Sequence, residues 1–170
     1  MEDEEFIEQH KLMEYITNFN IHFKLLLKRY KRFKEINKIG NDDIDVTTYL
    51  DMIVVQLRAM CIENKRYKNN YTAQNLLCKL GEEELAQDID NMLDKKFYHG
   101  STKVNIRDAL KILADKFICH YDNFDGEKQH MLSLADVFMS RLSNPHEDVN
   151  LDYIMKVLVN CIGEGLTIEI

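Results

Sequence analysis

Almost nothing in this chain stops a helix. Pro145 is its sole proline, and only six glycines are spread over 170 residues. Long stretches therefore run free of the two residues that most disfavour a helix interior. Leu, Lys, Glu, Met and Ile fill those stretches, and the chain reads all-α. Its length allows a real core, and a hydrophobic content of 45% argues against wholesale disorder. The expected architecture is a single-domain bundle of about six or seven helices. It spans residues 1–170, with 1–4 and 166–170 as candidate loose tails. No repeat, low-complexity tract or interdomain linker interrupts it.

The pattern divides the chain as follows. Apolar residues keep helical spacing from about Glu4 to Ile36, in one long helix or two with a break near Asn18 to Asn20. After the turn-forming run Gly40 to Asp45, a second helix is predicted from about Thr47 to Lys65. Thr72 is placed to cap a short helix from Ala73 to Leu80, which Gly81 ends. Glu82 to Tyr98 reads as a helix whose first turn is acidic, as the helix dipole prefers, and His99 to Lys103 as a loop. A helix over Asn105–Phe124 follows, then Met131 to Leu142, a turn at Pro145, and Leu151 to Ile162. Gly163 and Gly165 are expected to stop that last helix, and the tail Leu166 to Ile170 leans towards β structure.

Asn105–Phe124 is the stretch the rest is organised around. Ile106, Leu110, Leu113, Phe117, His120 and Phe124 draw one stripe along a helix, apolar everywhere except at His120. A polar ring in a buried stripe needs a partner or a purpose. It is either a satisfied core histidine, suited as a cation to the helix C-terminus, or a functional group.

Resemblance gives the functional alternative its content. The segment Ala114-Asp115-Lys116-Phe117-Ile118-Cys119-His120-Tyr121-Asp122 resembles the late-helix segment of HEPN-type domains. These are small all-helical proteins of bacterial abortive-infection and toxin–antitoxin systems. In ribonuclease members a helix carries an arginine a few residues before a histidine, read as R-[DN]-K-x-x-A-H-x-D. Asp115, Lys116, His120 and Asp122 match that pattern. Ala114 stands in the arginine position and Cys119 replaces the small residue. The resemblance implies His120, Lys116 and Asp122 as catalytic residues of a metal-independent endoribonuclease. Histidine would move a proton at the 2′-hydroxyl, and a cation would hold the phosphate. With alanine in the arginine slot, Lys116, Arg107 or Arg58 must supply that cation, or the chain is not a nuclease. Tyr121 joins Arg58 and Arg107 as a candidate substrate-binding residue. The resemblance further implies a homodimer, a cytoplasmic setting, and RNA or a cognate antitoxin as partner.

A basic run from Lys24 to Lys38, with Tyr30 and Phe33 interleaved, adds Lys28, Arg29 and Arg32 as candidate phosphate contacts. Such a run is equally a solvated face, or a complement to the acidic N-terminus of a second subunit. The net charge of −7 does not advertise nucleic-acid binding.

Other chemistry is missing from the sequence. Cys61, Cys78, Cys119 and Cys161 form no C-x-x-C and are expected to be buried free thiols. The histidines show no ligand spacing, so neither metal nor cofactor is expected. Phosphate-cradling glycine loops, G-x-S-x-G and H-E-x-x-H are all absent. No apolar run is long enough to span a bilayer, and the acidic N-terminus is unlike a signal peptide. The alternative to RNA chemistry is a non-catalytic regulatory or assembly bundle with His120 in its core.

Overall fold

The computed structural model describes residues 2–37, 44–62, 72–118 and 128–166. Among them are seven α-helices, one π-helical segment and one two-stranded hairpin. The chain is an all-α bundle, as the scarcity of helix breakers requires.

Helix α1, Glu2–Asn37, is a single unbroken rod of 36 residues, on the order of 54 Å long. Tyr15, Phe19, Phe23, Leu26 and Phe33 are buried along its inner face. That face lies on α2, Ile44–Cys61, which buries Leu50, Ile53, Val54, Leu57, Met60 and Cys61. α2 begins a turn earlier than the spacing predicts, and residues 63–65 of its expected end lie outside the described ones. Buried Gln56 fixes the pair. Its Nε2 donates to the His22 carbonyl at 2.6 Å, and its Oε1 accepts from Arg29 at 2.7 Å.

Thr72 caps α3, Ala73–Lys79, by accepting from the Asn75 amide. Its carbonyl accepts from the Tyr15 hydroxyl at 3.1 Å, which anchors α3 to α1. Gly81, at φ +81, makes the left-handed turn into α4, Glu83–Asp94.

The predicted helix to Tyr98 and the loop after it give way to a hairpin. β1, Lys96–His99, pairs antiparallel with β2, Thr102–Asn105, around a turn at Gly100 with φ +57. A two-residue turn with a left-handed glycine matches the strand twist. Phe97 is buried and stacks on Phe138, ring centroids 5.1 Å apart, while Tyr98 faces outward. That alternation is the strand period winning over the helical one.

Asn105 caps α5, Ile106–Ile112, accepting from the Asp108 amide at 2.7 Å. The predicted stripe is buried at Ile106, Leu110 and Leu113. The helix is not uniform: Leu113–Ile118 is π-helical, wound with an extra residue per turn. Phe124 and the rest of 119–127 lie outside the described residues.

α6, Lys128–Ser143, buries Leu134, Ala135, Phe138 and Leu142. The Pro145 turn is tied by buried Asn150, which donates to the carbonyls of Pro145 and Glu147 and accepts from the Tyr153 amide. α7, Leu151–Leu166, then packs along α4. It runs straight through Gly163 and Gly165, contrary to the sequence expectation. A Cβ on Gly165 would lie 2.3 Å from Leu77 Cδ2, so the glycine lets α7 approach α3. Tyr30 and Lys34 of α1 both bond the Asp152 carboxylate on α7, closing the bundle. No described helix is long and apolar enough to cross a membrane. Cys61 and Cys161 are buried as expected, but Cys78 is exposed on the outer side of α3.

Candidate functional site

The residues singled out from the sequence divide into three groups. His120, Tyr121 and Asp122 lie outside the described residues, and of Lys116 only the backbone is described, inside the π-helical segment. Arg58 and Arg107 are both placed, half-buried, but on different neighbours. Lys28, Arg29 and Arg32 sit on α1.

Arg58 belongs to the last turn of α2, which packs against the π-helical segment. Its Nη1 donates to the Ile62 carbonyl at 2.9 Å, and its Nη2 meets Asp115 Oδ2 at 3.3 Å. The side chain is 19% exposed, and its Nε is buried without a protein partner. Asp115 is 48% exposed. The structure thus brings Arg58 onto the turn that leads towards His120. Ala114, the residue in the arginine slot, is only 1% exposed and faces the core. An arginine there would start from a buried position.

Arg107 is committed elsewhere. Its Nη2 donates to Asp90 at 2.8 Å and its Nε to Asp94 at 3.0 Å, both on α4. Burial pulls its pKa down, but the two carboxylates outweigh that and raise it. Asp90 also accepts from Gln74 Nε2, which reaches the Cys61 carbonyl at 2.8 Å. This network stitches α2, α3, α4 and α5 together. Beside it the fully buried Cys61 thiol is pushed up to about 12, chiefly by burial, with Arg107 opposing and Asp90 adding. Such a thiol is a poor nucleophile.

On α1, Arg29 turns inward to Gln56, Arg32 pairs with Glu35 at 3.2 Å, and Lys28 is exposed. The three do not converge on Arg58.

Sequence reasoning gave no hint of a groove of about 650 Å³ between α4 and α7. Asp88, Asp94, Glu164, Lys95, Tyr153 and Cys161 are among its lining residues. Lys95 is already engaged, its Nζ 4.0 Å from the Tyr153 ring centroid and bonded to the Asp148 carbonyl. These residues come from two helices far apart in sequence, each reading locally as an ordinary solvated face, so no spacing could reveal them. Among the described residues, no three His, Cys, Asp or Glu side chains gather as metal ligands would.

Comparison with family models, with curated proteins and with solved structures finds no match to this chain.

Proposed function

We propose that the chain binds RNA where the π-helical segment leads into Lys116 and His120, and cleaves it without a metal in the manner of HEPN-type nucleases. One observation carries this reading: Arg58, from a different helix, rests on Asp115 at the start of the segment that resembles the nuclease motif. The two candidate replacements for the missing arginine differ in availability. Arg107 is held by two carboxylates at 2.8 and 3.0 Å, Arg58 by one half-exposed carboxylate at 3.3 Å and the Ile62 carbonyl at 2.9 Å. A phosphodiester oxygen can replace the one longer ion pair of Arg58, leaving its bond to the neutral Ile62 carbonyl in place, more cheaply than the paired shorter ion pairs of Arg107. π-helical turns also occur often at functional sites.

In this mechanism Arg58 and Lys116 hold the phosphate. His120 takes the 2′-hydroxyl proton as that oxygen attacks phosphorus, the bond to the 5′-oxygen breaks, the leaving 5′-oxygen receives a proton back from the imidazolium, and Asp122 orients the imidazole. The products are a 2′,3′-cyclic phosphate and a 5′-hydroxyl. The setting this carries is a cytoplasmic bacterial or phage-borne defence or toxin–antitoxin component, with RNA, a second copy and a cognate antitoxin as partners. A second reading, a non-catalytic regulatory or assembly protein, draws on the burial of Ala114, which closes the usual arginine position.

The test is incubation with total RNA in EDTA, beside His120→Ala and Arg58→Ala. Acid–base catalysis contributes ~10²–10⁴-fold, so His120→Ala should abolish cleavage. Loss of one charge-assisted contact in Arg58→Ala should slow it about 10- to 100-fold. No cleavage and no salt-dependent RNA binding by a folded wild type would leave the assembly reading in its place.

A further inference from the structure

The packing of α1 is fully accounted for by its inner face, yet its outer face is not the plain polar surface that leaves. Seven large hydrophobics are exposed among the described residues, and five of them, Phe6, Ile7, Met13, Ile21 and Leu25, lie on this helix. At 100° per residue they fall within about a third of its circumference, opposite Phe19 and Phe23. Phe6, Met13 and Ile21 are 71%, 60% and 61% exposed. From Phe6 onward, where the side chains of α1 are described, the first buried residue is Tyr15.

Charge on the same helix is divided end from end. Positions 2–14 hold six acidic residues and one lysine, whereas positions 24–34 hold six basic residues and no acid. The helix dipole favours acid at the start and base at the end, but only within the first and last turns. Here the division extends over a dozen residues at each end. Among the described residues no carboxylate pairs with Lys24, Lys28 or Lys31.

We propose that α1 pairs antiparallel with α1 of a second copy, about a two-fold axis near its middle. A two-fold contact repeats every interaction twice. At 100° per residue Asp3 and Glu14 fall on the apolar face, as do Lys24, Lys28, Lys31 and Arg32, so these acids of each helix lie on the basic half of the other, while Met13, Ile21 and Leu25 meet near the axis. An apolar centre within a charged rim is the usual anatomy of an interface. A parallel pair would set like charge on like. A nucleic-acid backbone would suit the basic half alone and be repelled by the acidic half. A second copy satisfies both halves and the apolar residues together. In this arrangement Lys28 and Arg32 face protein, and the pairing stands whether or not the chain acts on RNA.

Light scattering and sedimentation of the full chain test it. The wild type should have the mass of a dimer at low salt, with weaker association at high salt. Lys24→Glu/Lys28→Glu/Lys31→Glu and Glu2→Lys/Asp3→Lys/Glu14→Lys, the basic and acidic positions that share or border the apolar face, should each be monomeric, with helical content unchanged by circular dichroism. An equimolar mixture of the two reversed proteins should recover the dimer, an outcome that misfolding cannot mimic. A wild type that stays monomeric overturns the proposal, as does one that gains mass only when RNA is added. Dimers that survive both reversals overturn it as well.

Discussion

Ala114 shows how one buried position can decide where a site is built. Its Cβ faces the core at 1% exposure, beside Leu113 at 2%. Restoring the motif arginine at this point would place a long cation in the core. A buried charge without a partner costs several kcal/mol. Ala114→Arg should therefore lower stability by about 3 kcal/mol or more, read as the urea midpoint, and should not raise RNA cleavage above wild type. An Ala114→Arg protein of undiminished stability that cleaves RNA better than wild type would show that the slot opens to solvent, and that Arg58 is dispensable. In the sequence Arg58 is one of three cations able to fill the arginine slot, with nothing to set it above Lys116 or Arg107. Its partner Asp115 lies 57 residues away, a pairing that no local spacing discloses.

At the level of elements, sequence and structure agree wherever one period dominates. The inner face of α1, the Thr72 cap, a helix opening at Asn105 and the Gly81 turn were all legible in local chemistry. The hairpin was not, because Lys96 to His99 is too short for a period of two to stand out from the helical run before it. Its burial depends on Phe138, which α6 supplies. The end of α7 was misread for a related reason: Gly163 and Gly165 carry a stop signal that tertiary contact overrides. The Gly165 contact makes this measurable. Glycine to alanine in a helix normally gains about 1 kcal/mol, but here the new methyl would sit 2.3 Å from Leu77 Cδ2, on a side chain with no exposure. Overpacking of that kind costs ~1–3 kcal/mol, so Gly165→Ala should show a net loss of about 1 kcal/mol. In a Leu77→Ala background the clash vanishes and the same change should stabilise. Urea unfolding of the four proteins reads the sign reversal, and a Gly165→Ala effect of one sign in both backgrounds would refute the contact.

For the molecule as a whole, the groups that close the bundle also set its behaviour at high pH. Tyr30 on α1 donates to Asp152 on α7 at 2.8 Å. Burial first, then that hydrogen bond and the carboxylate's charge, raise its phenol well above the ordinary tyrosine value. Cys61, at the junction of the other helices, is raised to about 12 by burial. Both are acids that keep their protons longer folded than unfolded. Below the unfolded values the full stability is present. Above about pH 9 the unfolded thiol, and above about pH 10 the unfolded phenol, releases a proton that the folded chain retains, and the equilibrium moves towards unfolding. For the fully buried thiol the fall approaches about 1.4 kcal/mol per pH unit until its folded value is reached. The half-buried phenol contributes less, since solvent screens it. Denaturation midpoints measured from neutral to alkaline pH should therefore decline, and more gently in Cys61→Ala. Tyr30→Phe should start lower by about 1 kcal/mol at neutral pH, having lost one hydrogen bond, and converge on wild type as pH rises past 10. Curves that stay parallel throughout would mean that Tyr30 ionises freely in the folded chain, and that Lys34 alone joins Asp152 to α1.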